Sequence, residues 1–482
     1  MQKSFKKIAL KGVIWTAIEK GGTQILGILI TIFLARLISP SEFGILGLLA
    51  IIISVSQLLV DSGLGSALIQ CNNREEIDFH TVFLFNFTIS VLIYIIIYFS
   101  SPTFSVYFSQ PKLAIYARVL GLIIIINALG IIPRTLLTIN LDFSSVAKSN
   151  LIGTLVGGIL GIISAYFNLG VWSLIIQMGV TSILSLVSLY FFLNWRPIIV
   201  FSKNSFLKLY KFSSFLLLSG LYGELLKSVY PTIVGKLFPI SSLGYFTKAN
   251  QLSDASTVQL VGIIQQVSFP ILSSVQNDTS RLLFMFKKIM GMTFFLTTPL
   301  ICLLVVLSRP LILLIFTPEW ENMIIMFQLF LISRIFYPLS SLNLALLNVI
   351  GRSDLFFKIE LLKFPLTLFS LLFTIKFGIS AILFGYIINS FLSYAINSYY
   401  TNLFFNYGML SQLSYLLKYL ILSIVMSLFV FWAVSYLESN IVKIFIGILL
   451  GFITYTFSLK VLKTYEFFEL LKLLKSLKKS VV

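Results

Sequence analysis

The sequence predicts an all-α polytopic membrane protein with about fourteen transmembrane helices, on three observations. Of its 482 residues, 58% are hydrophobic and only 11% are charged, with a mean hydropathy of +1.00. A soluble globular chain carries about 25% charged residues, so this one cannot hide its apolar surface in a single core and must take the bilayer as its solvent. Apolar runs of roughly 20 residues, the length a helix needs to cross a membrane, recur along the whole chain. The charged residues collect in short gaps between those runs. The net charge of +18 therefore reads as membrane topology, and no basic, aromatic-interleaved domain exists to bind nucleic acid.

Taken in order, the spans fall at about 13–37, 43–69, 79–100, 113–139, 150–167, 170–193, 212–238, 243–273, 289–308, 322–349, 357–375, 379–401, 415–436 and 441–461. Proline and glycine mark the joints, as in "SPSEFG" and "SSPTF". The first run follows Lys3, Lys6, Lys7 and Lys11 without a small-residue cleavage site, which predicts an uncleaved first span. With the N-terminus cytoplasmic, 22 basic residues fall on the cytoplasmic side and 6 on the other, so both termini are expected in the cytoplasm. Two cysteines and one histidine offer no disulfide framework and no multi-histidine zinc site.

The two halves echo each other at an offset of 200: "ARLISPSEFG" (35–44) lines up with "GKLFPISSLG" (235–244), pairing Arg36 with Lys236 and Gly44 with Gly244. Both repeats start from the same side, so they are parallel, and transporter folds are built from such repeats. The expected division is an N-terminal lobe at 1–194, a cytoplasmic linker at 195–211, a C-terminal lobe at 212–401, extra helices at 402–461 and a basic tail at 462–482. In that tail Leu470, Leu471, Leu474 and Leu477 oppose Lys472, Lys475, Lys478 and Lys479, the pattern of a helix lying on the anionic inner leaflet.

"FLARLISPSEFGILGL" and "DSGLGSALIQ", within residues 33–70, resemble the opening of the polysaccharide-exporter branch of the multidrug/oligosaccharidyl-lipid/polysaccharide flippase superfamily. That branch includes the Wzx-type O-antigen and colanic acid flippases and the teichuronic acid exporters. "GYFTKANQLSDASTVQLVGIIQQVSFPILSSVQ" resembles its eighth helix, and "GRSD" (351–354) fits the loop after its tenth. The resemblance implies two pseudo-symmetric six-helix lobes around a central cavity plus two C-terminal helices. It also implies a bacterial cytoplasmic-membrane location and an undecaprenyl-diphosphate-linked oligosaccharide cargo, flipped outward. Polymerase and chain-length components of the same pathway would be partners.

An ionisable side chain near the bilayer centre costs at least about 2.5–3.5 kcal/mol and is expected to face protein or water. Lys20, Arg118, Arg134, Lys227, Lys248, Arg334 and Lys363 lie in spans, against Glu19, Asp61, Glu224, Asp254 and Glu360. The surplus of two cations suits a diphosphate. Lys20, Arg118, Lys227, Lys248 and Arg334 are the candidate substrate-binding cations. Glu224, Asp254, Asp61 and Glu360 are the candidates for gating or for coupling to a proton or sodium ion, and no other cofactor is implied.

Glu224 and Lys227 share a face one turn before Pro231, where a helix should bend; "ELLK" recurs at 360–363 and 469–472. A cavity-lining role and a structural interhelical pair both remain open for it. Thr247, Asn250, Gln251, Asp254, Thr257 and Gln265 form a polar stripe facing either water or a polar helix, with Lys248 at its side. Asp61, one turn after Gln57, either gates or caps its helix. Of Arg118 and Arg134, sixteen residues apart, one could face a cavity and the other an interface. No nucleophile–base constellation points to an enzyme. A pathway polymerase or ligase would need a larger outward loop, and a multidrug exporter would favour an acidic cavity.

Overall fold

The computed structural model describes residues 2–71, 73–470 and 472, and among them every regular element is helical. Two compact units divide the chain, residues 1–244 and 245–482.

Unit 1 holds α1 (Gln2–Leu37), α2 (Pro40–Asp61), α3 (Leu64–Gln70), α4 (Glu76–Tyr107), α5 (Leu113–Ile139), α6 (Phe143–Tyr166), α7 (Val171–Phe192) and α8 (Lys203–Leu237). Its helix starts are written in the sequence. The Ser39 amide donates to Glu42 at 2.9 Å at the head of α2, and Asp142 accepts the Ser145 amide at 3.2 Å at the head of α6. α6 packs on α7 along Gly153 and Gly157, where a Cβ would strike the hydroxyls of Ser185 and Thr181. Only small residues at this spacing let two backbones approach so closely.

Unit 2 holds most of α9 (Ile240–Ser273), then α10 (Thr279–Ile315), α11 (Met323–Ser333), α12 (Tyr337–Val349), α13 (Ser353–Thr374), α14 (Ile379–Phe405), α15 (Met409–Ser435) and α16 (Asn440–Val461). Its core gathers Phe286, Met290, Phe294, Tyr394, Tyr419 and Tyr455. Buried polar groups pair inside it: the amides of Asn343 and Gln412 exchange reciprocal hydrogen bonds of 2.9 Å each. Unpaired, each would carry a desolvation cost of about 1–3 kcal/mol.

The repeat is visible in the helix ends. α1 stops at Leu37 and α8 at Leu237; α2 starts at Pro40 and α9 at Ile240. Gly44 and Gly244 meet across these starts, a Cβ on each falling on the carbonyl oxygen of Ile240 or Pro40 in turn. α8, the sequence counterpart of α1, belongs to unit 1, where it packs on α2, α3 and α4.

All fourteen predicted spans are helical, and twelve helical segments among the described residues are long and apolar enough to cross a membrane. The chain is a multi-pass membrane protein. The two helices outside that twelve, α8 and α13, are the carriers of the two intramembrane Glu–Lys pairs, so the same charges that drew attention to them lower their apolarity.

Several boundaries differ from expectation: α10 runs Thr279–Ile315 against an expected 289–308, and α8 starts at Lys203 rather than 212. α4 continues through Pro102 to Tyr107, past the "SSPTF" joint. Pro102 has no N–H for the Tyr98 carbonyl; the Ser101 hydroxyl, at 2.9 Å, and the Arg118 Nε, at 3.3 Å, donate to it instead. The second and tenth spans are each broken in two. Ser62 and Gly63 take left-handed φ of 49° and 70° between α2 and α3. Between α11 and α12, Pro338 cannot donate to the Arg334 carbonyl, which accepts from the Tyr337 amide at 3.3 Å instead.

Residues 465–470 form a further helical turn against unit 2. Glu466, fully buried, accepts from the hydroxyls of Tyr415 and Tyr419, with Lys418 Nζ 3.6 Å away, and Glu469 pairs with Lys288. Leu470, the first of the predicted leucine stripe, packs against the unit 2 core. The rest of that stripe (Leu471, Leu474 and Leu477) and Lys475, Lys478 and Lys479 lie outside the described residues.

Candidate functional site

A cavity of about 690 Å³ lies within unit 1, walled by α2, α3, α5, α6, α7 and α8. Small-molecule sites run from about 300 to 1,000 Å³. The cavity occupies the half of unit 1 nearest the connections that follow α3, α5 and α7, because its lining residues sit in the second halves of α2, α5 and α7.

Its wall sets neutral hydrogen-bonding groups among aliphatic ones, Leu58, Ile69, Ile126, Ile131, Leu186 and Leu189. Ser54, Gln57, Ser66, Asn127, Thr135, Thr138, Asn150, Thr181, Ser182 and Ser185 make up ten of the twenty-one lining residues. The close α6–α7 approach over Gly153 and Gly157 brings Thr181 and Ser185 into place, and Asn127 Nδ2 donates to Gln57 Oε1 at 3.1 Å. Three charges join them: Asp61, Arg134 and Glu224. Asp61 is the last residue of α2, so the break before α3 turns its carboxylate to the cavity in place of a further helical turn. Arg134 Nη2 donates to Asn150 Oδ1 at 3.0 Å, and the Asn150 amide donates to Glu19. Arg134 thereby ties α5 to α6 and, through Asn150, to α1.

The predicted site residues are scattered. Asp61 and Glu224 line the cavity. Lys227 pairs with Glu224 at 3.7 Å, but its side chain is 77% exposed and is not part of the wall. α8 runs unbroken through Pro231. Lys20 is exposed on α1. Of the two α5 arginines, Arg134 faces the cavity and Arg118 turns to α4, where its guanidinium sits 4.4 Å from the Tyr98 ring and donates to Ser101 at 2.9 Å.

In unit 2, Arg334 and Asp254 form one ion pair of 2.5 Å. Arg334, 8% exposed, also donates to Asn250 Oδ1 at 2.8 Å and to the Tyr386 hydroxyl at 3.1 Å. The polar stripe of α9 thus faces polar partners, Asn250 and Asp254 meeting Arg334 and Gln265 donating to the Ser341 carbonyl at 3.1 Å. Lys248 donates to Gln251 on its own helix at 3.1 Å. Glu360 and Lys363 pair at 2.6 Å along α13.

Sequence reasoning missed Asn127, Asn150, Thr181 and Ser182, because neutral polar residues in a span pass as packing. The signal was there for Asn127, isolated in the apolar stretch "IINALG", but not for Asn150, which follows Lys148 and Ser149.

Residues 33–325 match the polysaccharide biosynthesis protein family, and the chain belongs to that family. It is 22% identical over 314 residues to the succinoglycan biosynthesis transport protein ExoT of Rhizobium meliloti (strain 1021). That match covers 65% of this chain and 64% of ExoT, so it spans just under two thirds of the relative's length. It is 23% identical over 362 residues to the lipopolysaccharide biosynthesis protein WzxC of Escherichia coli (strain K12), covering 75% and 74% of the two chains. Its fold is similar to that of lipid II flippase MurJ in an inward closed conformation, with a TM-score of 0.76 at 16% identity over 93% of this chain and 98% of that one.

Proposed function

We propose that this protein is a transporter and not an enzyme. It flips an undecaprenyl-diphosphate-linked oligosaccharide outward across the bacterial cytoplasmic membrane for surface polysaccharide biosynthesis. The observation that carries this reading is the amide- and hydroxyl-lined cavity inside a bundle of membrane-crossing helices. A sugar ring presents donors and acceptors on every side, and a dry apolar pocket would leave them unpaired. Family membership supports the reading, as do the names of ExoT, a transport protein, and MurJ, a flippase of a lipid-linked cargo. The excess of basic residues on one side of the spans supports cytoplasmic termini, and on that orientation the cavity lies in the cytoplasmic half of unit 1. Reporter fusions after Lys203 and after residue 482 are expected to read as cytoplasmic.

Coupling to a proton or sodium gradient is assigned to the Arg334–Asp254 pair. An anionic headgroup drawn to Arg334 would compete for the guanidinium that Asp254 pairs with and raise the affinity of that carboxylate for a cation. The test is flipping of a fluorescent lipid-linked oligosaccharide by purified protein in liposomes, with and without an imposed gradient. Gradient-stimulated flipping is expected, and its loss in Asp254→Asn with residual downhill flipping supports the assignment. No flipping above protein-free liposomes refutes the reading.

A second reading, export of lipophilic cations, is favoured by one observation: among the described residues the cavity wall carries Asp61 and Glu224 against Arg134. Ethidium efflux from the same liposomes separates the two, and none is expected.

A further inference from the structure

The unit 1 cavity offers polar groups without being cationic. Among the described residues Arg134 is the one cation on its wall, and its guanidinium is already engaged by Asn150, which in turn donates to the Glu19 carboxylate. Asp61 and Glu224 face the same space. The ammonium nearest to Glu224, that of Lys227, stands 3.7 Å from the carboxylate on a side chain 77% exposed and outside the wall. An anion entering would meet two carboxylates and one occupied guanidinium in a medium that screens charge poorly. A neutral, hydroxyl-rich ring would instead meet Gln57, Asn127, Thr181 and Ser182, each able to donate and accept.

We infer that this cavity selects uncharged sugar units and turns away sugars that carry a carboxylate, such as uronic acids. The inference rests on the transport reading above and names the class of cargo that reading leaves open. Specificity of this kind is a difference of affinities, set as much by what the wall repels as by what it binds.

Two measurements test it on the full chain. Ser182→Cys, in a Cys71→Ser/Cys302→Ser background, is reacted with cationic and anionic methanethiosulfonates, each rate normalised to that with a free thiol. The cationic reagent is expected to be about tenfold faster, with the ratio falling toward one in Asp61→Asn/Glu224→Gln. Equal rates in the parent overturn the inference. Flipping is then compared for two lipid-linked cargoes that differ only in a glucosyl or a glucuronosyl unit. The glucosyl cargo is expected to move about tenfold faster, with the gap narrowing in the same double variant. An acidic cargo flipped as fast as the neutral one overturns the inference. If neither cargo moves while the reagent ratio holds, the transport reading has failed and the preference for uncharged ligands stands.

Discussion

In unit 1 the second span is interrupted at Ser62–Gly63, and in unit 2 the tenth is interrupted at Arg334–Phe336. An ionisable residue marks each, Asp61 just before the first interruption and Arg334 within the second. A broken helix inside a membrane is tolerated where protein or a water-filled cavity satisfies the freed backbone groups. Both breaks are bonded by protein, the Ser62 amide donating to the Leu58 carbonyl at 3.0 Å and the Ser390 hydroxyl to the Ser333 carbonyl at 2.7 Å; the difference lies in the charge, because unit 2 holds Arg334 with Asp254, Asn250 and Tyr386. Unit 1 leaves Asp61 beside a cavity. An intramembrane charge is thus held where its complement faces it, a lock that an anion would have to open at Arg334, and it faces ligand directly where space does.

The largest effect that this contrast predicts is for Arg334→Gln. Breaking a buried pair by removing one partner costs about 3–5 kcal/mol, and Asp254 is 38% exposed, so the loss is expected near the low end, about 3 kcal/mol. It is read as a fall in the melting temperature of purified protein. Arg334→Gln/Asp254→Asn should recover part of it, and a strictly additive double variant would mean that the pair is no lock.

Next comes the cavity wall. Gly157→Leu forces α6 from α7 and is expected to cost about 2 kcal/mol while abolishing labelling of Ser182→Cys. Full labelling at parental stability would show that the wall does not depend on this approach.

A smaller, local effect is expected at the second lock of unit 2. Burial pushes the Glu466 carboxyl up from the ordinary 4.5, but the hydrogen bonds from Tyr415 and Tyr419 outweigh it and hold the group below that value. A depressed carboxyl stabilises fully above its unfolded value, and that contribution is lost as pH falls through the folded one. Hydrogen exchange of 464–470 should therefore be flat from pH 8 to 5, relative to intrinsic rates, and protection should fall only below about 4.5. Glu466→Ala should expose the segment at neutral pH at a cost of about 1–2 kcal/mol. Protection that already falls at pH 6 would assign the clamp to another group.

The smallest stability effect is expected at Asp61→Asn, below about 0.5 kcal/mol, although cargo handling changes. A melting shift equal to that of Arg334→Gln would make Asp61 a lock as well and erase the contrast.

Sequence by itself determined the membrane class, the helix order and the repeat, because these follow from local quantities: run length, apolarity and the punctuation between runs. The offset of 200 located Gly44 and Gly244, which the fold brings together. It also contained both helix breaks, in "DSGLG" and "IFYPL", though an apolar window reads through them. What each charge does was decided by tertiary structure. Arg118 and Arg134 are equally conspicuous in one helix, yet one patches the carbonyl that Pro102 frees and the other walls a cavity. Arg334 and Asp254, eighty residues apart in sequence, become one pair. A side chain's role in low dielectric is set by what stands within a few ångströms of it, and in a helical bundle those neighbours come from other helices. Composition counts the charges; only packing chooses their partners.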